Sequence, residues 1–297
     1  MTTALTPIPP PTNTLTLDDG RILAWDEHGE TGGFPVCFFH GAPGSRVLFP
    51  GMADAAATAR VRLLALDRPG CGRSSFQPGR RIADWPADVT AVADRLSLDR
   101  FGVCGSSGGG PYALACAALA DPRLTRVAVV SGIGPLDTAA AIAELHDVNR
   151  AIFELASIGP EAAIAAIEAL VEATTGEPAT GDAMADLLAQ LAPEDQALIL
   201  AEPAIMAAAR IDESAALGAA GPSYDLWLYT RPWDLDLGSI RVQVDVYSGD
   251  HDHNVPVQHA VDQAAAIPTS TLTIWPASGH FAGIQRFGEI LARLTAL

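Results

Sequence analysis

The sequence predicts an α/β protein whose central sheet is mostly parallel and is covered by helices on both faces. Three observations predict this fold. Short apolar runs typical of buried strands alternate with helical segments up to about residue 130. Strand-like runs are missing from residues 135–229, where Ala, Glu, Ile and Leu recur at helical spacing, and they return after residue 240. A Gly-rich turn at residues 105–110 joins one apolar strand directly to a helix.

The first elements are a hairpin and a central strand. Residues 1–13 are rich in Thr and Pro and predict a loose arm. The strand candidates 15–17 and 21–25 are joined through Asp18, Asp19 and Gly20, which is a hairpin signal. Residues 34–39 form a nearly continuous apolar run, as expected of a strand buried on both faces.

The pattern of strand and helix then repeats along the chain. The predicted strands are 61–66, 101–104, 126–130, 242–247 and 271–275. The predicted helices are 51–59, 82–96, 112–119, 151–155, 162–172, 184–191, 205–211 and 284–297. Turn signals at 159–160, 176–178 and 221–222 divide the helical region. We therefore predict a core made of residues 1–134 and 230–297, with an inserted helical cap at 135–229.

Composition excludes several classes of function. The net charge of −17, from 18 basic and 35 acidic residues, disfavours binding to nucleic acid or to an anionic membrane surface. The four cysteines are widely spaced, which predicts neither a disulfide framework nor a zinc site. No signal peptide and no apolar stretch of about 20 residues are present, so a soluble, cytoplasmic protein is expected. The sequence carries no signal for the oligomeric state.

The turn after strand 101–104 has the spacing of a nucleophile elbow. Residues 105–109 read GSSGG and fit G-x-S-x-G with Ser107 in the central position. Ser106 does not fit, because Cys104 stands where the first glycine would be. A serine at such an apex stands clear of the sheet beside a helix N-terminus, whose free N–H groups suit a developing negative charge. The alternative is a structural Gly-rich turn that carries a capping serine.

A serine hydroxyl needs a base, and the base needs a carboxylate that orients it. The expected chain order is serine, acid, histidine, on loops that follow successive strands. The loop after strand 242–247 contains Asp250 and Asp252, together with His251 and His253. The loop after strand 271–275 contains His280, which this order favours as the base. A metal or organic cofactor is not implied.

These motifs resemble those of the α/β-hydrolase family with a helical cap, in its esterase and proline-iminopeptidase-like branch. Four motifs carry the resemblance over nearly the whole chain: HGAPG at 40–44, DRPGCGRS at 67–74, the elbow, and GDHDHNVP at 249–256 followed by Gly279-His280. The resemblance implies that Asp252, rather than Asp250, is the acid and that His280 is the base. His251 and His253 share the loop of the acid, and we expect them either to support the site from outside it or to face solvent.

An oxyanion formed at the serine needs two backbone N–H donors. One is expected at Gly108, which follows the nucleophile. The resemblance implies the other at Ala42, with His40 and Gly41 supporting that loop. It also implies that residues 67–69 are structural and hold the loop beside the site.

These features predict a serine hydrolase that cleaves a carboxylic ester or lactone of a small, largely apolar substrate through an acyl-enzyme. The same residues could act on another bond, as in a proline-type aminopeptidase, a C–C hydrolase or a perhydrolase. A binding protein with an idle triad is the third hypothesis. Ser107 argues against an epoxide hydrolase or dehalogenase, which would need Asp at the elbow.

The cap is expected to select the substrate, but its sequence is less informative. Its larger side chains could fill helix contacts or line an apolar pocket; they are Phe153, Met184, Met206, Trp227 and Tyr229. Its polar candidates are His146, Asn149 and Arg150. In a peptidase, Glu202 or Asp212 could hold a substrate amine.

Overall fold

The computed structural model describes residues 8–119, 121–175, 188–202, 204–205 and 211–296. Its centre is one eight-stranded sheet with the order β1-β2-β4-β3-β5-β6-β7-β8. The strands are β1 (Asn13–Thr16), β2 (Ile22–Gly29), β3 (Phe34–Phe39), β4 (Val61–Leu66), β5 (Phe101–Ser106), β6 (Leu124–Val130), β7 (Gln243–Gly249) and β8 (Ser270–Trp275). Strands β1 and β2 pair antiparallel, and β2 is antiparallel to β4. All other pairs are parallel, so the predicted fold class is confirmed.

The helices that accompany this sheet are α1 (Met52–Thr58), α2 (Trp85–Arg95), α3 (Gly110–Ala118), α4 (Ala139–Ala143), α5 (Asp147–Ile158), α6 (Pro160–Thr175), α7 (Pro193–Ala201), α8 (Ile211–Ser214), α9 (Ala220–Tyr229), α10 (Val257–Ala266), α11 (Ala282–Gln285) and α12 (Phe287–Thr295). Helices α4 to α9 lie between β6 and β7 in the chain, within residues 135–229, which we call the helical insertion. The exact division into core and cap stays a prediction.

The central strands are buried on both faces because helices cover each side of the sheet. In β3, Cys37 and Phe39 belong to one apolar cluster, and Val36 and Phe38 belong to another. This alternation follows from the two-residue period of a strand. Residues of α2 and α3 pack in the first cluster, and residues of α1 and α12 pack in the second. Each large apolar side chain buried in this way contributes about 1.5–3 kcal/mol to folding.

The prediction of a turn at Gly221 and Pro222 is wrong, because both residues lie in the first turn of α9. Proline is tolerated there, since the first N–H groups of a helix have no partner within the helix. Gly221 is required by packing. A Cβ at this position would lie 1.9 Å from the backbone oxygen of Gly70, so the start of α9 touches the 67–74 loop directly.

The predicted C-terminal helix 284–297 is two helices, α11 and α12, separated at Arg286. Helix α10 was missed by the sequence reasoning. Most of the predicted helices 184–191 and 205–211, and the turn signal at 176–178, lie outside the described residues, as do Met184 and Met206.

The parallel strands place one set of loops together. Strands β3, β5, β7 and β8 run in the same direction, so the loops that follow their carboxyl ends meet at one edge of the sheet. Ligand sites in open α/β sheets form at this edge. All the predicted site residues stand on these loops.

Candidate active site

The turn between β5 and α3 holds Ser107 in a strained conformation. Its φ is 52°, in the left-handed region that serine rarely adopts. The glycines on either side are needed for close approach. A Cβ at Gly105 would lie 2.3 Å from the oxygen of Gly109, and a Cβ at Gly109 would lie 2.2 Å from the oxygen of Phe39. The strained serine between two crowded glycines has the geometry of a nucleophile elbow.

His280 and Asp252 form a hydrogen-bonded pair at the same edge of the sheet. The Nδ1 atom of His280 lies 2.8 Å from Oδ2 of Asp252, whose side chain is fully buried. The other carboxylate oxygen accepts the backbone N–H groups of Asn254 and Val255 at 2.9 and 2.8 Å. An ionised carboxylate only accepts, so Nδ1 carries the proton and Nε2 is left with a free lone pair. His280 is therefore in the tautomer that a base requires.

The electrostatic surroundings of His280 make it a better base. Burial disfavours the imidazolium, but the charge and the hydrogen bond of Asp252 outweigh this, with a further contribution from Asp195. Together they raise the pKa of His280 above its ordinary value. Ser107 and His280 line the same cavity.

The other candidates in these loops make different contacts. Asp250 accepts the N–H of Ser278 at 3.3 Å. The Nδ1 atom of His251 lies 2.8 Å from a carboxylate oxygen of Glu194 in the helical insertion. His253 stacks on His146 with ring centroids 4.5 Å apart, and both rings line the cavity. Asp252 is thus the acid of this loop that contacts His280.

The two expected oxyanion donors lie on segments in close contact. A Cβ at Gly108 would lie 3.0 Å from the backbone nitrogen of Ala42 and 2.7 Å from its Cβ. A Cβ at Gly41 would lie 3.4 Å from the Cβ of Ser107 and 3.8 Å from its Oγ. The loop after β3 therefore passes directly beside the serine, with Ala42 and Gly108 next to one another.

His40 braces this loop as a neutral side chain. Its Nε2 accepts the backbone N–H of Arg68 at 3.3 Å, and its Nδ1 lies 2.8 Å from the oxygen of Gly41. One nitrogen accepts and the other donates, which is the neutral form. Burial, followed by the nearby charge of Arg68, holds the pKa of His40 well below its usual range.

Arg68 binds the same loop through buried hydrogen bonds. Its guanidinium donates to the backbone oxygens of His40 and Gly41, the latter at 2.9 Å. Nε of Arg68 also donates to Asp225 of α9 at 2.9 Å. The second oxygen of Asp225 accepts from Arg80 and Tyr112, each at 2.6 Å. Burial alone would raise the pKa of Asp225, but the two arginines hold it well below its usual range.

Sequence reasoning missed two contacts that the helical insertion makes with the site. Tyr229, named there only as a bulky cap residue, donates from its hydroxyl to the backbone oxygen of Gly108 at 2.8 Å. Asp195 accepts the backbone N–H of His280 at 2.7 Å. Neither residue belongs to a motif, so no sequence signal marked them.

The cavity above Ser107 has a volume of about 830 Å³ and is mainly apolar. It extends into the core, because the fully buried Cys104 and Ile290 line it. From the helical insertion, Phe153, Tyr229, His146 and Asn149 contribute to its walls. Trp227 packs on Tyr224 instead, and Arg150 pairs with Asp147. Among the described lining residues, Asp147 is the single carboxylate.

Two further findings concern the described residues alone. Within the described ranges, no cluster of three or more His, Cys, Asp or Glu side chains could hold a metal ion. No helix in the described part of the chain is both long and apolar enough to cross a membrane.

By its sheet order and strand-end loops, the protein has the α/β-hydrolase fold. A family model described as "alpha/beta hydrolase fold" matches residues 35–156. The match covers about two fifths of the chain and agrees with the α/β-hydrolase fold that the sheet shows.

The curated proteins that resemble this chain in sequence are named for different activities. The acetyltransferase component of the acetoin cleaving system of Pseudomonas putida is 34% identical over 118 residues, or 39% of this chain and 31% of that protein. Proline iminopeptidase of Neisseria gonorrhoeae is 30% identical over 129 residues, or 40% of this chain and 39% of that protein. The matches thus span less than half of these relatives.

The likeness to solved structures covers almost the whole chain. The enol-lactonase of Burkholderia xenovorans LB400 aligns with a TM-score of 0.70 at 20% identity, covering 95% of this chain and 97% of that one. At this identity the likeness shows the fold alone.

Proposed function

We propose that this protein is a serine hydrolase that cleaves a carboxylic ester or lactone of a small, largely apolar molecule through an acyl-enzyme. The observation that carries the proposal is the 2.8 Å contact between Nδ1 of His280 and Asp252, which leaves Nε2 to accept a proton on a side chain that lines the same cavity as Ser107. These three residues have the chemistry of a nucleophile, a base and the acid that orients the base.

The proposed mechanism has two half-reactions. His280 takes the proton of Ser107 as the hydroxyl oxygen attacks the substrate carbonyl, and it then gives that proton to the leaving alcohol. In the second half, His280 takes a proton from water as the water oxygen attacks the acyl carbon. His280 then gives that proton to the Ser107 oxygen as its bond to the acyl group breaks and the acid is released. Asp252 keeps the imidazole in the required tautomer and stabilises its cation in both steps.

The N–H groups of Ala42 and Gly108 are the proposed donors to the tetrahedral oxyanion. The proposal is supported by the close packing of the two segments and by the bracing of both. Arg68 bonds to the loop that leads to Ala42, and Tyr229 bonds to the oxygen of Gly108. Donors held in place before the reaction are worth about 3 kcal/mol each in the transition state.

The cavity favours an uncharged substrate with an apolar acyl or alcohol part. Part of the cavity lining comes from β3 and from helices α1, α11 and α12 and is apolar; it includes Phe38, Met52, Ile284 and Phe287. An aminopeptidase would need a carboxylate to hold the substrate amine. Neither Glu202 nor Asp212 is among the described lining residues, and Asp147 is 89% exposed at its side chain.

The test uses p-nitrophenyl esters, lactones and aminoacyl-anilides with wild type and Ser107→Ala. We expect ester or lactone turnover that falls at least about 10⁴-fold in Ser107→Ala, because the nucleophile is removed. Ser106→Ala is the matched control and retains turnover. Active-site labelling with a fluorophosphonate should follow the same pattern.

Other results would favour the alternatives. Anilide turnover without ester turnover would identify an aminopeptidase. Absence of both turnover and labelling in folded wild type would contradict the hydrolase proposal and favour a binding protein.

A further inference from the structure

Asp195 links the helical insertion to the loop that carries His280. It lies in the first turn of α7 and is only 2% exposed. Oδ2 accepts the backbone N–H of His280 at 2.7 Å, and Oδ1 accepts that of Phe281 at 2.9 Å. Both oxygens therefore act as acceptors, and they bond to the backbone of the proposed base rather than to its ring. Burial raises the pKa of Asp195, and the two backbone N–H bonds oppose this by favouring the ionised carboxylate.

The residue before the base leaves room for this carboxylate. A Cβ at Gly279 would lie 2.2 Å from Oδ2 of Asp195 and 2.4 Å from its Cγ. Any side chain at position 279 would occupy the place of the carboxylate. The glycine that precedes His280 is thus explained by Asp195, which comes from a distant part of the chain.

The segment that contains Asp195 also forms part of the cavity wall. Residues 189–191 line the cavity, and Asp195 follows four residues later. The adjacent Glu194 bonds to His251 at 2.8 Å, on the loop that carries Asp252. One short stretch of the insertion therefore contacts the substrate cavity, the loop of the acid and the loop of the base.

We propose that Asp195 is a positioning residue for His280: it ties the backbone of the base to the helical insertion, so that the imidazole is correctly placed only while α7 is seated on the core. This inference rests on the proposed function in one respect, the role of His280 as the base. A misplacement of about 1 Å in such a group can cost about 100-fold in rate.

The charge of Asp195 also acts on the ring that it positions. Asp252 and Asp195 both favour the imidazolium of His280. The other charged groups on these segments face one another: Glu194 pairs with His251, whose Nε2 lies 4.0 Å from Asp250. His146, Asp147 and His253 also line the cavity. Loss of the Asp195 charge should therefore lower the pKa of His280.

The main variant is Asp195→Asn, which keeps the size but can accept only one of the two N–H bonds. We expect kcat for a p-nitrophenyl ester to fall about 10- to 100-fold, while KM changes less than threefold. The acid limb of the profile of kcat/KM against pH should move to lower pH. Rates are divided by the fraction of sites that a fluorophosphonate labels, so that a smaller amount of folded protein is not mistaken for a lower kcat.

Two further variants separate this contact from general damage. Glu194→Gln removes the same charge one residue earlier, and it should leave kcat and the acid limb unchanged. Gly279→Ala places a Cβ where the carboxylate of Asp195 lies and should therefore displace that carboxylate. The loss in Gly279→Ala combined with Asp195→Asn should be much smaller than the product of the two single losses, because both variants break one interaction.

A substrate-independent measurement completes the test. NMR titration should show a lower pKa for His280 in Asp195→Asn than in wild type, and hydrogen exchange should show faster exchange of the His280 and Phe281 amides. An unchanged pKa, with kcat as in wild type, would overturn the inference. A fall in kcat with an unmoved pKa and acid limb would also overturn it, since it indicates a structural role only. If wild type lacks turnover, the proposed function fails and the NMR result still decides this inference.

Discussion

Two histidines beside the serine show how local surroundings set the role of a side chain. His40 is fully enclosed next to Arg68, and its pKa lies far below the ordinary value. His280 is nearly as enclosed but faces Asp252, which raises its pKa. The first is kept neutral and braces a loop through both nitrogens. The second can accept a proton and hold it during the reaction.

The pH dependence of catalysis follows from the raised pKa of His280. The neutral imidazole is the active form, so activity is full above the pKa of His280 and is lost as pH falls through it. We expect kcat/KM to fall about tenfold for each pH unit below a midpoint that lies above the ordinary histidine value of about 6.5. The measurement is the pH profile of ester hydrolysis at low substrate concentration.

The control for this profile is His253→Asn. His253 shares the acid loop and the cavity but bonds neither to Asp252 nor to Asp195 in the described contacts, so its loss should leave the midpoint in place. A midpoint that moves with His253, or one that lies below 6, would contradict the assignment of His280 as the base.

At the scale of the elements, helix α9 contacts several parts of the site. Asp225 near its middle bonds to Arg68 and Arg80, and Tyr229 at its end bonds to Gly108. Its first turn touches the backbone of Gly70 through Gly221. The two segments that carry the proposed oxyanion donors are therefore both tied to one helix of the insertion.

The variant Asp225→Asn tests this helix as a structural support. It leaves two buried guanidinium groups without their shared counter-charge, which should lower the free energy of unfolding by about 3–5 kcal/mol. Urea denaturation followed by circular dichroism measures the change. The matched control is Asp147→Asn, which removes an exposed ion pair with Arg150 and should leave stability within error. Equal stability of the two variants would show that the buried network contributes little.

At the scale of the whole molecule, the cavity is lined both by the loops at the edge of the sheet and by buried core residues such as Cys104 and Ile290. Ile284 of α11 lines the cavity and packs against the same cluster as Phe38 and Met52. We expect Ile284→Phe to reduce the space in this apolar part of the cavity. The ratio of kcat/KM for p-nitrophenyl hexanoate to that for the acetate should fall about tenfold, because roughly two methylenes lose their burial at about 0.8 kcal/mol each.

Val261→Phe provides the comparison for this substitution. Val261 is an exposed residue of α10 that is not among the lining residues, so the same ratio should stay as in wild type. If Ile284→Phe changes hexanoate and acetate turnover by the same factor, the acyl chain does not contact Ile284.

The sequence predicted the central strands better than the contacts made by the insertion. The bounds of β3 and β4 agree with the prediction at both ends, because a short apolar run between turn residues has few alternatives. A turn was wrongly predicted at the start of α9, because glycine is a common turn residue. Gly221 is instead required by close packing against the backbone of Gly70, about 150 residues earlier in the chain. Local patterns do not contain contacts of this range.

The same distinction applies to the candidate site. The motifs named Ser107, Asp252 and His280, and the structure places the last two in contact and all the relevant loops at one edge. Asp195 and Tyr229 act through backbone atoms of their partners, and backbone atoms are the same whatever residue carries them. For this reason their roles leave no pattern that sequence spacing can reveal.

The bare contact between Gly70 and Gly221 has a consequence for protein engineering. The two backbones are in direct contact, so a side chain at either glycine would clash with the opposite segment. The helical insertion therefore cannot be exchanged freely. An insertion grafted from a relative would need a glycine at the position of Gly221 and a carboxylate at the position of Asp225 to pair with Arg68. Substrate range in this scaffold is more safely redesigned by single changes in the wall than by exchange of the whole segment.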